Sequence, residues 1–269
     1  MPTEKSIYAA VAALEAQNQP GALCIVTHSQ GSTPRQAASK MLVYPDGQIA
    51  GTVGGGEMEQ RVIEEALAAI ADGETRRLAY TLNDPGRGDP GVCGGQVEVF
   101  VEPIQPRPTL LVIGGGHVGK AVVHLAHWLG FYVVLSDDRP EFCNPESVPG
   151  ADVYLPIPIG ELPQAVAITP WTYLVLTTRG SPLDQAGLPA LLNTPAAYIG
   201  VIGSQRRWAV TRAKLAEAGV PDEQLARVRS PMGLELQAQT PEEIAVSILA
   251  EVLMLRDRGT GQPMDQGKV

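Results

Sequence analysis

Apolar positions along the chain fall into two stretches with different periods. Residues 4–16 place apolar side chains at helical spacing and predict a helix, and residues 22–27 form a short apolar run that predicts a strand. Two further apolar runs, 41–44 and 48–53, flank Pro45-Asp46-Gly47, where Asp-Gly supplies the positive φ angles of a tight turn, so a β-hairpin is expected. Residues 58–70 predict a helix ended by Asp72-Gly73, while 78–82 and 97–101 read as strands around a loop rich in glycine and proline. The expectation for this half is a mixed α+β domain.

Residues 102–108 are crowded with Pro103, Pro106 and Pro108, whose missing N–H donors and fixed φ favour an extended connector. After them the pattern changes. Strands at 110–113, 132–135, 153–155, 173–177 and 197–202 alternate with helices at 117–129, from Leu183, at 206–217 and at 241–256. Such alternation predicts a doubly wound parallel sheet. Thr240 is placed to cap the last helix, with Pro241 at its first position. The fold class is therefore α/β: an N-terminal α+β domain over 1–104, a Pro-rich linker over 105–108 and a Rossmann-like C-terminal domain over 109–269.

Composition narrows the function classes. Hydrophobic residues at 44% against 18% charged supply core enough for two domains. The first residues lack a basic region followed by an apolar core, and no apolar run approaches the roughly 20 residues of a membrane span, so a cytoplasmic location is expected. A net charge of -9 argues against nucleic acid and anionic membranes as partners, because both need a basic face. It leaves room for an anionic small molecule, since distant charge is screened over about 8 Å. Cys24, Cys93 and Cys143 are odd in number and form no CxxC pair, which fits a reducing compartment and argues against structural zinc.

The strongest chemical pattern is Gly114-Gly115-Gly116-His117-Val118-Gly119, directly after a predicted strand and opening a predicted helix. Gly114 permits the turn, Gly116 lets a pyrophosphate approach the backbone and Gly119 lets helix meet strand. His117 is a candidate donor to the phosphate, and Asp137 or Asp138 stands where an acid binds ribose hydroxyls. A tight turn that binds nothing is the competing reading. Gly54-Gly55-Gly56 is either a second anion cradle or a turn needing positive φ, with Glu57 and Glu59 set to repel an anion. Arg35, in Gln30-Gly31-Ser32-Thr33-Pro34-Arg35, and Arg206 and Arg207, on a helix that Ser204 can cap, are either anion grips or solvated side chains. His117, His124 and His127 share one helix but no carboxylate or cysteine joins them, so a metal site is not expected there. Cys93, beside Gly94-Gly95, is the candidate reactive thiol; Cys24 reads as core filling and Cys143 as incidental on a loop.

Together these segments resemble the XdhC/CoxI family, accessory proteins of molybdenum hydroxylases such as xanthine dehydrogenase and carbon monoxide dehydrogenase. The resemblance covers nearly the whole chain. Besides the segments above it rests on Gly51-Thr52-Val53, Arg139, Tyr198-Ile199-Gly200-Val201-Ile202-Gly203, Ser230-Pro231-Met232-Gly233-Leu234 and Thr240-Pro241-Glu242-Glu243-Ile244-Ala245. It implies a chaperone that holds the molybdenum cofactor, as molybdopterin or its dinucleotide form, while a cysteine desulfurase supplies the terminal sulfur, and then inserts it into an apo-molybdenum hydroxylase. It also implies a homodimer, with Cys93 as a ligand to the metal through the cofactor. Two departures stand out. Glu57 occupies the place of a cysteine after the glycine triplet, and Thr178-Arg179-Gly180 replaces a His-Asp-His-like segment.

Two rival readings use the same residues. A NAD(P)-dependent oxidoreductase fits the glycine-rich loop, but no Tyr-Lys or His-Asp proton donor is evident. A non-catalytic adaptor would use the nucleotide fold only as a scaffold. The chaperone reading expects no turnover by the chain itself.

Overall fold

The computed structural model describes residues 6–83, 90–91 and 94–266. The chain divides into two compact units, Met1–Pro106 and Arg107–Val269.

In the first unit, α1 (Ile7–Ala16) precedes the long strand β1 (Gly21–Gln30) and the hairpin β2 (Lys40–Val43) and β3 (Ile49–Gly51). Helix α2 (Gly56–Asp72) follows, then β4 (Arg76–Thr81) and β5 (Gln96–Ile104). The five strands form an antiparallel sheet in the order β3-β2-β1-β5-β4. Met58, Val62, Ala66, Ala69 and Ile70 lie along one stripe of α2 and pack on Ala22, Cys24, Val26, Val97, Val99 and Val101. Ala10 and Leu14 of α1 pack with Leu42 in a separate cluster.

Two local expectations change. In the hairpin turn Gly47 has φ +81° and its N–H donates to the Tyr44 carbonyl at 2.9 Å. Asp46 keeps a negative φ and works through its side chain, which accepts from the Gln48 N–H at 3.0 Å. One left-handed residue after the turn matches the twist of the strands. Residues 102–104 belong to β5 rather than to a connector, with Pro103 opposite Ala22. The pairing of β4 ends at Arg76 opposite Val101, so the proline's missing N–H costs no ladder bond on that side.

The second unit carries six parallel strands: β6 (Thr109–Ile113), β7 (Tyr132–Ser136), β8 (Val153–Leu155), β9 (Thr172–Leu176), β10 (Tyr198–Val201) and β11 (Val228–Arg229). The order β11-β10-β9-β6-β7-β8 is, numbered within the unit, the 6-5-4-1-2-3 arrangement of dinucleotide-binding sheets. Helices α3 (His117–Trp128), α4 (Leu162–Ala165), α5 (Ser181–Leu192), α6 (Gln205–Glu217), α7 (Asp222–Leu225) and α8 (Pro241–Arg256) connect and cover it. Alternation along the strands builds two cores. Leu110, Val112, Val133, Leu135 and Val175 meet α3 and α8 on one face, and Leu111, Ile113, Leu174 and Leu176 meet α5 and α6 on the other. This is a Rossmann-type doubly wound sheet. Helix α8 starts with a full capping box between Thr240 and Glu243. Among the described residues no helix is long and apolar enough to cross a membrane.

Candidate functional site

Strand order reverses beside β6, because β7 and β8 lie on one side of it and β9 to β11 on the other. At such a switch point the connections leave the strand ends in opposite directions and open a crevice. A cavity of about 550 Å³ lies there, walled by Ile113, Phe142, Ile157, Ile159 and Leu183 and edged by the glycine-rich loop.

Steric fit explains the loop's composition. Gly114 has φ +112°, and a Cβ on it would sit 2.7 Å from the Thr177 carbonyl oxygen. On Gly115 a Cβ would meet the Phe142 carbonyl oxygen at 1.9 Å, and on Gly119 the Gly114 carbonyl oxygen at 1.8 Å. Gly116 differs, since a Cβ there would meet nothing within 4 Å. Its missing side chain faces open space beside the start of α3, where the first N–H groups of a helix have no intrahelical acceptor. Thr177 Oγ1 donates to the Gly114 carbonyl at 2.7 Å and fastens the loop to the end of β9. His117, at the first helical position, is exposed and lines the cavity.

The two acids after β7 are both engaged. Asp137 is buried and accepts from the Gly115 N–H at 2.9 Å and from the backbone N–H of Arg139 at 3.0 Å. Nε and Nη2 of Arg139 add two bonds to it, each 2.9 Å. The same guanidinium stacks 3.9 Å from the centre of the Phe142 ring. Asp138 is held by a two-pronged bond from Arg179, at 2.7 and 2.9 Å, which keeps its carboxyl below the usual aspartate range. Arg139 and Arg179 are thus part of the site. The sequence marks Arg139 through the family resemblance and Arg179 through the departing segment Thr178-Arg179-Gly180, without indicating their aspartate partners.

Ser204 caps α6 by accepting from the Arg207 N–H at 3.2 Å. The arginines after it part company. Arg206 is exposed on α6 and is not in the cavity wall, whereas Arg207 turns inward to the fully buried Asp184 and to Thr178. Arg207 is therefore not a solvent-facing anion grip, because its charge compensates a carboxylate in the interior. Cys143 is buried rather than incidental on a loop, and its thiol donates to the Leu135 carbonyl at 3.3 Å.

In the first unit, the turn after β3 gathers its N–H groups around a carboxylate of its own. Glu59 Oε2 accepts from Thr52 Oγ1 and from the N–H groups of Val53 at 3.0 Å, Gly54 at 3.4 Å and Gly55 at 3.2 Å. Burial pushes this carboxyl up, but the bonds from Thr52, Val53, Gly55 and Gly54 outweigh it and hold the pKa below the ordinary glutamate value. Gly54 and Gly55 do cradle an anion, and it is Glu59. Gly56, the third glycine, begins α2. Pro34 lies against Gly54, and Gly95 packs on Gln30, Ser32 and Thr33, so these three motif segments meet at one place. Arg35 beside them is exposed, its carbonyl accepting from Thr33 Oγ1 at 3.0 Å. Cys93 lies outside the described residues. Cys24 is buried in the sheet, and burial pushes its thiol up to about 12.

Residues 110–252 match the family model described as the XdhC Rossmann domain, and residues 14–81 match that of the XdhC and CoxI family. The Uncharacterized protein YqeB of Escherichia coli is 37% identical over 261 residues, which are 95% of this chain and 47% of that protein. A probable xanthine dehydrogenase subunit of Bacillus subtilis is 31% identical over 160 residues, 60% of this chain and 46% of that protein. The molybdenum cofactor insertion chaperone PaoD of Escherichia coli is 22% identical, covering 87% of this chain and 83% of PaoD. The chain spans about half the length of the first two of these relatives. A crystal structure of a xanthine dehydrogenase from Bacillus halodurans shares the fold at TM-score 0.51 and 23% identity, covering 96% of this chain and 98% of that one. The two domain matches, together spanning both units, establish that the chain belongs to the XdhC and CoxI family.

Proposed function

We propose that the chain is an accessory protein of a molybdenum hydroxylase that holds the molybdenum cofactor and delivers it to the apo-enzyme. The observation that carries this reading is the cavity at the switch point, edged by a helix start that Gly116 leaves open. Its volume of about 550 Å³ suits a single small molecule. Phe142, Ile157 and Ile159 offer apolar wall to a pterin ring, and the N–H groups at the start of α3, with Arg139 and Arg179, offer donors to its phosphate. The cofactor brings the metal and its redox chemistry, while the chain's own residues bind it and shield it from water. The names of PaoD and of the Bacillus subtilis relative point to the same cargo and client.

In this scheme Cys93 contributes a soft thiolate to the molybdenum, a cysteine desulfurase supplies the sulfur, and the chain works as a cytoplasmic homodimer. The test is purification of the chain from cells making the cofactor, with molybdenum measured by elemental analysis and pterin by fluorescence after oxidation. The expected result is bound molybdenum and pterin, and activation of an apo-hydroxylase on mixing. NAD(P)H-dependent turnover without bound pterin would replace this reading with the oxidoreductase one.

A further inference from the structure

Resting on that reading, we infer that the cavity selects a ligand ending in a phosphate monoester over the same ligand extended into a dinucleotide, and that Arg179 sets the preference. In dinucleotide-binding sheets the ligand crosses the glycine-rich loop, and an acid at the end of the second strand receives its ribose hydroxyls. Here that strand is β7 and that acid is Asp137. A carboxylate has about four acceptor positions, and those of Asp137 are filled by the Gly115 N–H and by three N–H groups of Arg139. Its side chain is 3% exposed, so a ribose would have to displace a bond already made.

The second obstacle is the Asp138–Arg179 pair. Asp138 follows β7 and Arg179 follows β9, the two neighbours of β6, so their forked bond spans the end of β6 where the glycine-rich loop begins. A dinucleotide lying across the switch point must open that bond. A terminal phosphate at the start of α3 need not. Arg139 and Arg179 each spend two side-chain N–H groups on the aspartates, and a guanidinium has five. Both arginines line the same cavity. A terminal phosphate monoester concentrates close to two charges on one phosphate, whereas the pyrophosphate of a dinucleotide spreads about the same charge over two. The terminal group therefore gains more from guanidinium donors at one place.

The experiment is equilibrium binding of the full chain to the phosphate-terminated cofactor and to its dinucleotide form, each released from a purified molybdoenzyme. Pterin fluorescence after oxidation reads the bound fraction. The wild-type chain should favour the phosphate-terminated form by about tenfold or more, a difference of 1.4 kcal/mol per factor of ten. Arg179→Ala, at a side chain 47% exposed, should fold normally and bring the two affinities together. Equal or tighter wild-type binding of the dinucleotide form, or an unchanged ratio in the variant, would overturn the inference and leave the cofactor reading standing. Binding of neither form would overturn the cofactor reading itself.

Discussion

Arg207 donates through Nη2 to the carboxylate of Asp184, a side chain with no solvent exposure, and to Thr178 Oγ1 at 3.1 Å. Thr178 donates in turn to Asp184, so the start of α6 is tied to the turn between β9 and α5 that carries Arg179. A buried charge with its partner removed costs far more than an exposed one.

Arg207→Ala should therefore destabilise the fold by about 3–5 kcal/mol. Arg206→Ala, at an exposed position, should stay within about 0.5 kcal/mol of wild type. Urea denaturation of the two variants checks this, and equal midpoints would show that the pair with Asp184 does not brace the site.

Gly116→Val should abolish binding of the cofactor while leaving the thermal midpoint close to wild type, because the added side chain enters open cavity. Gly119→Ala should do the reverse. Its Cβ would stand 1.8 Å from the Gly114 carbonyl oxygen, so backbone must move, at a cost of about 1–3 kcal/mol or more. Fluorescence binding and calorimetry on both variants separate the effects.

Acid should weaken the first unit through Glu59. Its pKa is lowered on folding, so the stability it contributes is complete above the ordinary glutamate value of 4.5 and is lost as pH falls through the lower folded value. Glu59→Gln should lack this component. The gap in melting temperature between wild type and variant should be largest near neutral pH and narrow below pH 4.5. A gap that widens on acidification would show that the carboxylate does not hold the glycine turn.

The cysteines should behave differently toward alkylating agents. Cys24 and Cys143 are buried, and burial pushes both thiols up, so both should resist modification in the native chain and react after unfolding. If Cys93 acts as proposed, Cys93→Ser should retain less molybdenum and fail to activate the apo-hydroxylase, measured by elemental analysis and a partner assay. Native labelling of Cys24 would mean that the sheet opens.

Much of this architecture was legible in the sequence, because strand and helix are local consequences of period. The alternation of apolar strands with helices placed every strand of the parallel sheet up to β10, and the Gly114 to Gly119 spacing placed the glycine loop between the first of these strands and the helix after it. The two-residue strand β11 and the helix α7, barely one turn long, carry too few positions to show a period. Of the loop glycines only Gly119 is required by a near neighbour, the Gly114 carbonyl, whereas Gly114 and Gly115 are required by Thr177 and Phe142, distant in the chain.

The destinations of the charged side chains were decided only by tertiary structure. Asp137 and Arg139 are two residues apart and already bond each other, but Asp138 meets Arg179 across 41 residues, and Arg207 meets Asp184 across 23. Glu59 reads from the chain as a repellent to anions at the start of α2, yet the fold makes it the anion that Val53, Gly54 and Gly55 surround. A sequence states which charges exist and where along the chain they stand. Whether a charge faces a ligand or another charge depends on which strand ends the sheet order brings together, and on the cost of leaving a buried charge without a partner.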